Sequence, residues 1–457
     1  MISLEAVPAM LPPQAVRSSQ RNPRRFDDWD KVCFGAITAG LAAAAVFLLY
    51  MSSHPPLAEL ARHPQLSVFY RPTLLWAGFG LALLTARSLL WIAYRAPSVC
   101  AFDYAPSLTV VIPAYNEGAM VANSVDSVAH ARYPADRLEI LVIDDGSRDD
   151  TWTHIEEAAR RHPGLVTPIR FTRNQGKRAA LEAGFRRARG RVVVTVDSDS
   201  IVEPGALLAM VGPFRDPQVG AVGGKVSVLN HREGVIPRML KVQYALAFDM
   251  LRAAQSTYGV VQCCPGALAA YRADALRRVL DDWGRQTFLG QPCTYGEDQA
   301  LTNFILGLGY DSLYQRQAVV HTLAPTSYDQ LCKMYLRWER SNIQEFFRFL
   351  PIAWQRPPAA RAMALFDVIV SNMRYPIWIL SLGLMVMLCV LEPVTALPRM
   401  LLLVGLGSSF NMLYYLRSER SKDFVYGILY SYFSFFSLFW ISIYALITVR
   451  SRSWMTR

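Results

Sequence analysis

The sequence predicts an α/β domain with a mostly parallel, Rossmann-like sheet, inserted between transmembrane helices and joined to them by amphipathic interface helices. Three observations carry this. Between residues 108 and 196, short apolar runs alternate with helix-patterned stretches, the texture of strands and crossover helices in a parallel sheet. Polar groups able to hold a ligand follow those apolar runs, where open parallel sheets bind, beyond the carboxyl ends of their strands. On both sides lie apolar stretches close to the ~20 residues that a bilayer crossing needs.

Composition agrees. The chain has 457 residues, of which 52% are hydrophobic and 18% charged. That is room for two or three structural units and the balance of a soluble domain with membrane spans. The formal charge of +11 fits Arg and Lys gathered beside cytoplasmic span ends. Attraction to anionic lipid or anionic substrate is a second reading. Nucleic acid is excluded as a partner, because the basic residues form no stripe and no nucleic-acid motif accompanies them. The seven cysteines form no Cys-x-x-Cys pair and no His cluster completes a zinc site; they read as reduced thiols.

In chain order, residues 1–31 are a basic cytosolic segment carrying Arg17, Arg21, Arg24, Arg25 and Lys31. Residues 32–95 hold two spans, apolar over 32–51 and 74–94, around a polar loop with His54, Pro55, Pro56 and His63. Arg87 in the second span is expected to snorkel toward its Arg95 end. That hairpin returns the chain to the cytosol, so the domain at 96–327 is expected there. Within it, 108–112, 138–143, 166–171 and 191–196 read as strands, and 124–131, 149–161, 176–189 and 299–308 as helices. Residues 328–360 are amphipathic, rich in Arg and aromatics, and broken at Pro357-Pro358. Residues 361–457 are the C-terminal membrane region, with spans expected at about 375–391, 400–415 and 424–449. Five crossings would put the end outside, whereas the basic tail (Arg450, Arg452, Arg457) favours inside. Either the last segment is not a simple crossing or 366–373 adds one.

The polar patches carry the chemistry. Tyr115 and Glu117 follow the first strand; they can offer a face to a base and a carboxylate to a ribose, or form an ordinary turn. Asp144-Asp145-Gly146-Ser147 follows the second; a carboxylate there can accept the imide hydrogen of uracil, or cap the next helix. Lys177 stands at a helix start, where phosphate is favoured, or is a surface lysine. Asp197-Ser198-Asp199 places two carboxylates after a Val-rich strand, suited to a hard cation shared with a diphosphate; capping is the alternative. Cys263-Cys264-Pro265-Gly266 permits close backbone approach by a ligand, or is a packed turn. Asp298, after Gly296-Glu297, is a candidate general base or a helix cap. Arg337-Trp338 can neutralise a departing diphosphate and platform a sugar, or sit at the membrane interface.

Together these patches resemble family 2 glycosyltransferases of the processive, membrane-embedded kind, in the texture of hyaluronan synthase and nodulation-type chitooligosaccharide synthase. The resemblance runs from about residue 108 to 347. It includes Val219-Gly220-Ala221-Val222-Gly223-Gly224-Lys225, Leu229-Asn230, Gln262 to Gly266, Tyr271-Arg272, Phe288-Leu289-Gly290, Gly296 to Asn303 and Arg337 to Ser341. It implies a GT-A domain in which Tyr115, Glu117, Asp145 and Lys177 hold UDP. Asp197 and Asp199 would hold the sugar diphosphate, Asp199 through Mg²⁺ or Mn²⁺. Asp298 would be the base, and Arg337 and Trp338 would close the site. The implied donor is UDP-N-acetylglucosamine, alone or alternating with UDP-glucuronate. The implied acceptor is a growing polysaccharide, exported through a multi-pass protein of the plasma (inner) membrane in contact with its lipids. A non-processive glycolipid-forming transferase and a catalytically weak channel or assembly partner are the alternatives. Two positions depart from the family pattern: Met334 stands where Gln is expected before Arg-Trp, and Gln299 where Arg is expected after the acidic pair.

Overall fold

The computed structural model describes residues 28–53 and 67–451. The basic N-terminal arginines, the loop with His54, Pro55, Pro56 and His63, and the tail residues Arg452 and Arg457 lie outside the described residues.

The strands are β1 (Leu108–Ala114), β2 (Leu138–Asp144), β3 (Val166–Arg170), β4 (Val192–Thr195), β5 (Ser200–Val202), β6 (Val219–Val228), β7 (Ala269–Arg272), β8 (Thr287–Phe288), β9 (Gln291–Pro292) and β10 (Asp311–Thr322). Eight form one sheet in the order β3-β2-β1-β4-β7-β6-β10-β5, and β8 and β9 pair as a hairpin. β3, β2, β1 and β4 are mutually parallel, as are β6 and β10. β7 runs antiparallel between β4 and β6, and β5 antiparallel at the edge. The first half matches the sequence expectation because β1, β2 and β4 are largely apolar runs buried on both faces, while β3 at the sheet edge is partly exposed. Alternate residues feed the two layers: Val110, Ile112, Ile140 and Val142 on one side, Val111, Leu141 and Ile143 on the other. The helices Met120–Ala129, Thr151–Arg161, Lys177–Arg187 and Glu297–Gly307 lie near their expected positions. The helical stretch from Val235 to Ser256, with a π-helical middle at Ala245–Met250, has no counterpart in the sequence reading.

Among the described residues four helices are long and apolar enough to cross a membrane: Asp28–Ser53, Tyr70–Ala93, Pro358–Leu391 and Ala396–Glu419. Residues 366–373 therefore belong to the third and add no crossing of their own. The expected fifth span is a pair of short helices, Phe424–Ser437 and Phe439–Ile447, bent by 49°. At its start Asp423 pairs with Lys241 at 2.6 Å, and the Tyr426 hydroxyl takes Arg238 at 2.6 Å. At its end the Tyr295 hydroxyl donates to the Ser451 carbonyl at 2.6 Å, and Arg340 donates to Thr448 at 2.8 Å. Both ends of the bent pair thus contact the catalytic domain, the arrangement expected of a re-entrant segment. Arg87 does not snorkel: it donates to Asp367 and Ser371, each at 2.7 Å. A carboxylate within reach is a better partner than a distant headgroup layer.

This topology predicts a labelling pattern. A cysteine at Ser451 and one at the exposed Asp150 should react with a membrane-impermeant thiol reagent from the same side, and one at Val394, 84% exposed, from the opposite side. Reaction of positions 451 and 394 from one side would contradict the re-entrant path.

Candidate active site

The loops after β1 and β2 are laced together. The backbone N–H groups of Glu117 and Gly118 donate to the Thr151 hydroxyl at 2.8 and 2.9 Å, and Asn116 N–H donates to Ser147 at 3.0 Å. Tyr115 and Glu117 are half-buried there. Asp145, at the end of β2, is 2% exposed. Its two oxygens accept the N–H groups of Gln175 at 2.7 Å and Gly176 at 2.8 Å. It thereby fixes the turn into the Lys177 helix, not the start of the Thr151 helix.

That turn delivers Lys177 into a cleft lined by Asp197, Gly266, Glu297 and Asp298. The ammonium lies 2.6 Å from Asp197 Oδ1 and 3.1 Å from Glu297 Oε1. Burial by itself would lower the Lys177 pKa, but the two carboxylates outweigh it and hold the ammonium above the usual lysine range. Glu297 is likewise opposed by burial, and Lys177 holds it below the usual range. Asp298 goes the other way. Burial, then the neighbouring Glu297 charge, push it up, against Lys177 and two N–H donors. Those donors are Gln299 N–H on Oδ1 at 2.8 Å and Gly266 N–H on Oδ2 at 3.1 Å, with the Cys263 thiol 3.7 Å from Oδ2. The helix cap is Gly296, in the left-handed region at φ 73°. Nothing local in the sequence assigns Glu297 or Gly266 a place beside Asp298. Their adjacency to the acidic pair and to Pro265 was visible, but their shared cleft joins segments far apart in the chain.

Asp199 is buried at the entry to β5, where its Oδ1 accepts from the hydroxyls of Thr322 at 3.1 Å and Ser200 at 3.2 Å. Among the described residues no group of three or more His, Cys, Asp or Glu side chains converges into a cation cage. Divalent cations in nucleotide sites take one or two carboxylates and complete their shell with phosphate oxygens and water. The hard oxygens of Asp197 and Asp199 fit a cation of that kind.

Arg337 and Trp338 lie on the helix Tyr328–Gln355, both half-buried. Trp338 stands among Tyr335, Phe248 and Tyr244, with ring centroids 5.5, 6.0 and 6.1 Å away. Met334 is buried beneath, its sulfur 3.5 Å from the Tyr244 hydroxyl that donates to it, so the thioether supports the Trp338 cluster by packing and as an acceptor. Gln299 joins the two helices: its side-chain oxygen accepts from Ser341 at 3.0 Å. Arg337 precedes Ser341 by four residues, which places it on the same helix face, about 6 Å along the axis. Buried Glu345 extends this seam, accepting from Asn303 at 2.8 Å and Gln286 at 2.5 Å.

The profile of glycosyl transferase family 2 matches residues 109–280. An N-acetylglucosaminyltransferase of Mesorhizobium japonicum is 32% identical over 355 residues, 77% of this chain and 82% of the relative. The chain belongs to glycosyl transferase family 2. A second relative, the N-acetylglucosaminyltransferase of Rhizobium meliloti, is 30% identical over 77% of this chain and 82% of its own length. Among solved structures, the mannosyltransferase PcManGT from Pyrobaculum calidifontis in complex with GDP-Man and Mn²⁺ superposes with a TM-score of 0.57. The superposition covers 79% of this chain and 99% of that one at 22% identity, a likeness of fold. This family 2 glycosyltransferase thus carries the GT-A domain expected from sequence, with membrane-length helices on either side.

A base at Asp298 gives a definite pH dependence. The group must be ionised to act, and its pKa is raised, so kcat/KM should fall as pH drops through a value above the ~3.9 of an ordinary Asp. Glu297→Gln removes one of the raising charges and should move that limb to lower pH. A limb that stays in place in this variant would assign it to another group. Asp298→Asn should lower turnover by roughly 10²–10⁴-fold while UDP binding stays within a factor of two or so; turnover near wild type would remove Asp298 from the role.

Proposed function

We propose that this glycosyltransferase is inverting and metal-dependent, and that it extends an oligosaccharide with N-acetylglucosamine from UDP-N-acetylglucosamine and passes it into the membrane region. The observation that carries this reading is the run of aromatic and polar groups from Trp338 through Tyr335 and Tyr430 into the helical region. Trp338 stands on the helix registered to the Asp298 helix. Its neighbour Tyr335 shares a hydrogen bond of 2.7 Å with Tyr430. Tyr430 lines a cavity of about 400 Å³ whose wall also holds Gln243, Tyr375, Asn411, Ser434 and Ser442. Hydroxyls, amides and aromatic faces replace the water that a sugar chain gives up on leaving solvent. The donor sugar follows the curated relatives, both named for N-acetylglucosamine transfer, so alternation with glucuronate is not part of this reading.

In the reaction Asp298 accepts the proton of the acceptor hydroxyl as its oxygen attacks the anomeric carbon, from the face opposite the diphosphate. Tyr115, Glu117 and Asp145 hold the uridine. Lys177 and Arg337 face the charge that grows on the departing diphosphate. Asp197 and Asp199 would hold a divalent cation, which when bound would further neutralise that leaving group; the Mn²⁺ in the Pyrobaculum mannosyltransferase structure supports this choice. The departing UDP carries the electron pair of the broken bond. The domain faces the cytosol of the inner membrane, where nucleotide sugars are made.

Purified full-length chain in sealed vesicles, with the domain outward, should incorporate label from UDP-N-acetylglucosamine into oligosaccharide. Incorporation should stop with EDTA and resume with Mg²⁺ or Mn²⁺, and product should accumulate inside, protected from added glycosidase. Full turnover in chelator would contradict the metal role. Product that stays wholly digestible outside would make the chain a synthase without a path across the membrane.

A further inference from the structure

Arg87 and Asp367 pair inside the membrane-length helices. Asp367 is 1% exposed. Its Oδ1 accepts from Arg87 Nε at 2.7 Å, and Arg87 is steadied by Ser371 at 2.7 Å. A buried ionised pair is costly unless its remaining lone pairs are used. Here they are used on the catalytic domain. Asp367 Oδ2 accepts from the side-chain amides of Gln255 at 2.8 Å and Gln262 at 2.9 Å, with the Tyr258 hydroxyl at 3.4 Å. Neither glutamine lies in a membrane-length helix.

Gln262 is where this grip reaches the chemistry. It opens the loop Cys263-Cys264-Pro265-Gly266, whose Cys263 thiol and Gly266 N–H both donate to Asp298 Oδ2. The side chain held by Asp367 is therefore one residue from a group that touches the base. The loop has two further fastenings: Arg252 donates to the Cys263 carbonyl at 2.8 Å, and Cys264 N–H donates to Thr302 at 3.1 Å. Thr302 itself donates to the Asp298 carbonyl at 2.8 Å. A shift of Gln262 thus moves the donors that orient the Asp298 carboxylate. Gly266 also has little freedom, since a Cβ there would come within 3.2 Å of the Lys177 ammonium.

We propose that Asp367, held by Arg87, is a positioning residue for the Asp298 base and acts through Gln262. The proposal rests on the reading of Asp298 as the base. It makes the second and third membrane helices part of the catalytic geometry, because the carboxylate that fixes the loop is set by their packing. None of the residues proposed to hold the donor belongs to this relay, so its loss should act on turnover and not on donor binding.

Gln262→Met tests this with least disturbance, since it keeps the length of a half-buried side chain and removes only the amide. In full-length chain in lipid, its kcat should fall on the order of 10–100-fold, the scale of a misplaced catalytic group. Donor KM, UDP affinity and melting temperature should stay close to wild type. Adding Asp367→Asn to Gln262→Met should cost little more than the larger single loss, because both break one chain of contacts. Unchanged kcat in Gln262→Met, or losses that multiply in the double variant, would overturn the relay. Asp298→Asn measured alongside separates the two claims. If it is inactive while Gln262→Met is normal, the relay alone fails; if it is active, the base reading has failed and the relay with it.

Discussion

One buried ammonium organises the active cleft. Lys177 lies between Asp197, at the end of β4, and Glu297, at the start of a helix a hundred residues later in the chain. Like charges brought this close without a cation would repel and one of them would protonate. Lys177 holds Glu297 below the usual carboxylate range, and burial, then the Glu297 charge, raises its neighbour Asp298. A Cβ on Gly266 would come within 3.2 Å of the same ammonium, and Asp145 grips the turn that leads to Lys177. The cleft is thus a balance of charge in which Lys177, Asp197, Glu297 and Asp298 set one another's state.

The rest of the molecule holds that balance against the membrane. Gln299 and Ser341 register the Trp338 helix on the Asp298 helix, and Glu345 closes the seam below. Lys225 pairs with Glu419 at 2.6 Å, tying β6 to the end of a membrane-length helix. Arg417, near that end, pairs with Asp30 of the first such helix at 3.3 Å and lies over the Trp91 ring of the second. The catalytic domain is therefore not tethered by flexible linkers. The loop that touches Asp298 is fastened through Gln262 to Asp367 of the third membrane-length helix.

Much of this was legible in the sequence where the signal is local. β1, β2 and β4 announce themselves as apolar runs, and Lys177, Asp197 and Asp298 stand beside structural punctuation that marks them. What the sequence could not show was pairing across distance. β6 is rich in glycine and β7 has only four residues, so neither carries strand periodicity, and their place between β4 and β10 is set by packing. The π-helical stretch that gives Phe248 to the Trp338 cluster has no motif of its own. Arg87 looked like a residue seeking the interface, because Asp367 lies 280 positions away. Met334 and Gln299 looked like losses against the family pattern. In the fold the sulfur accepts from Tyr244 and the amide accepts from Ser341, so both positions retain a contact of a different kind.

A single carboxylate base opposite the leaving group requires direct displacement at the anomeric carbon. The configuration of the first linkage formed by purified protein tests that most directly. With the α-configured donor UDP-N-acetylglucosamine and a short chitooligosaccharide acceptor, proton NMR of the new anomeric centre should show a β linkage. An α linkage would mean retention of configuration, which a lone base at Asp298 cannot produce, and would contradict the assignment of this cleft.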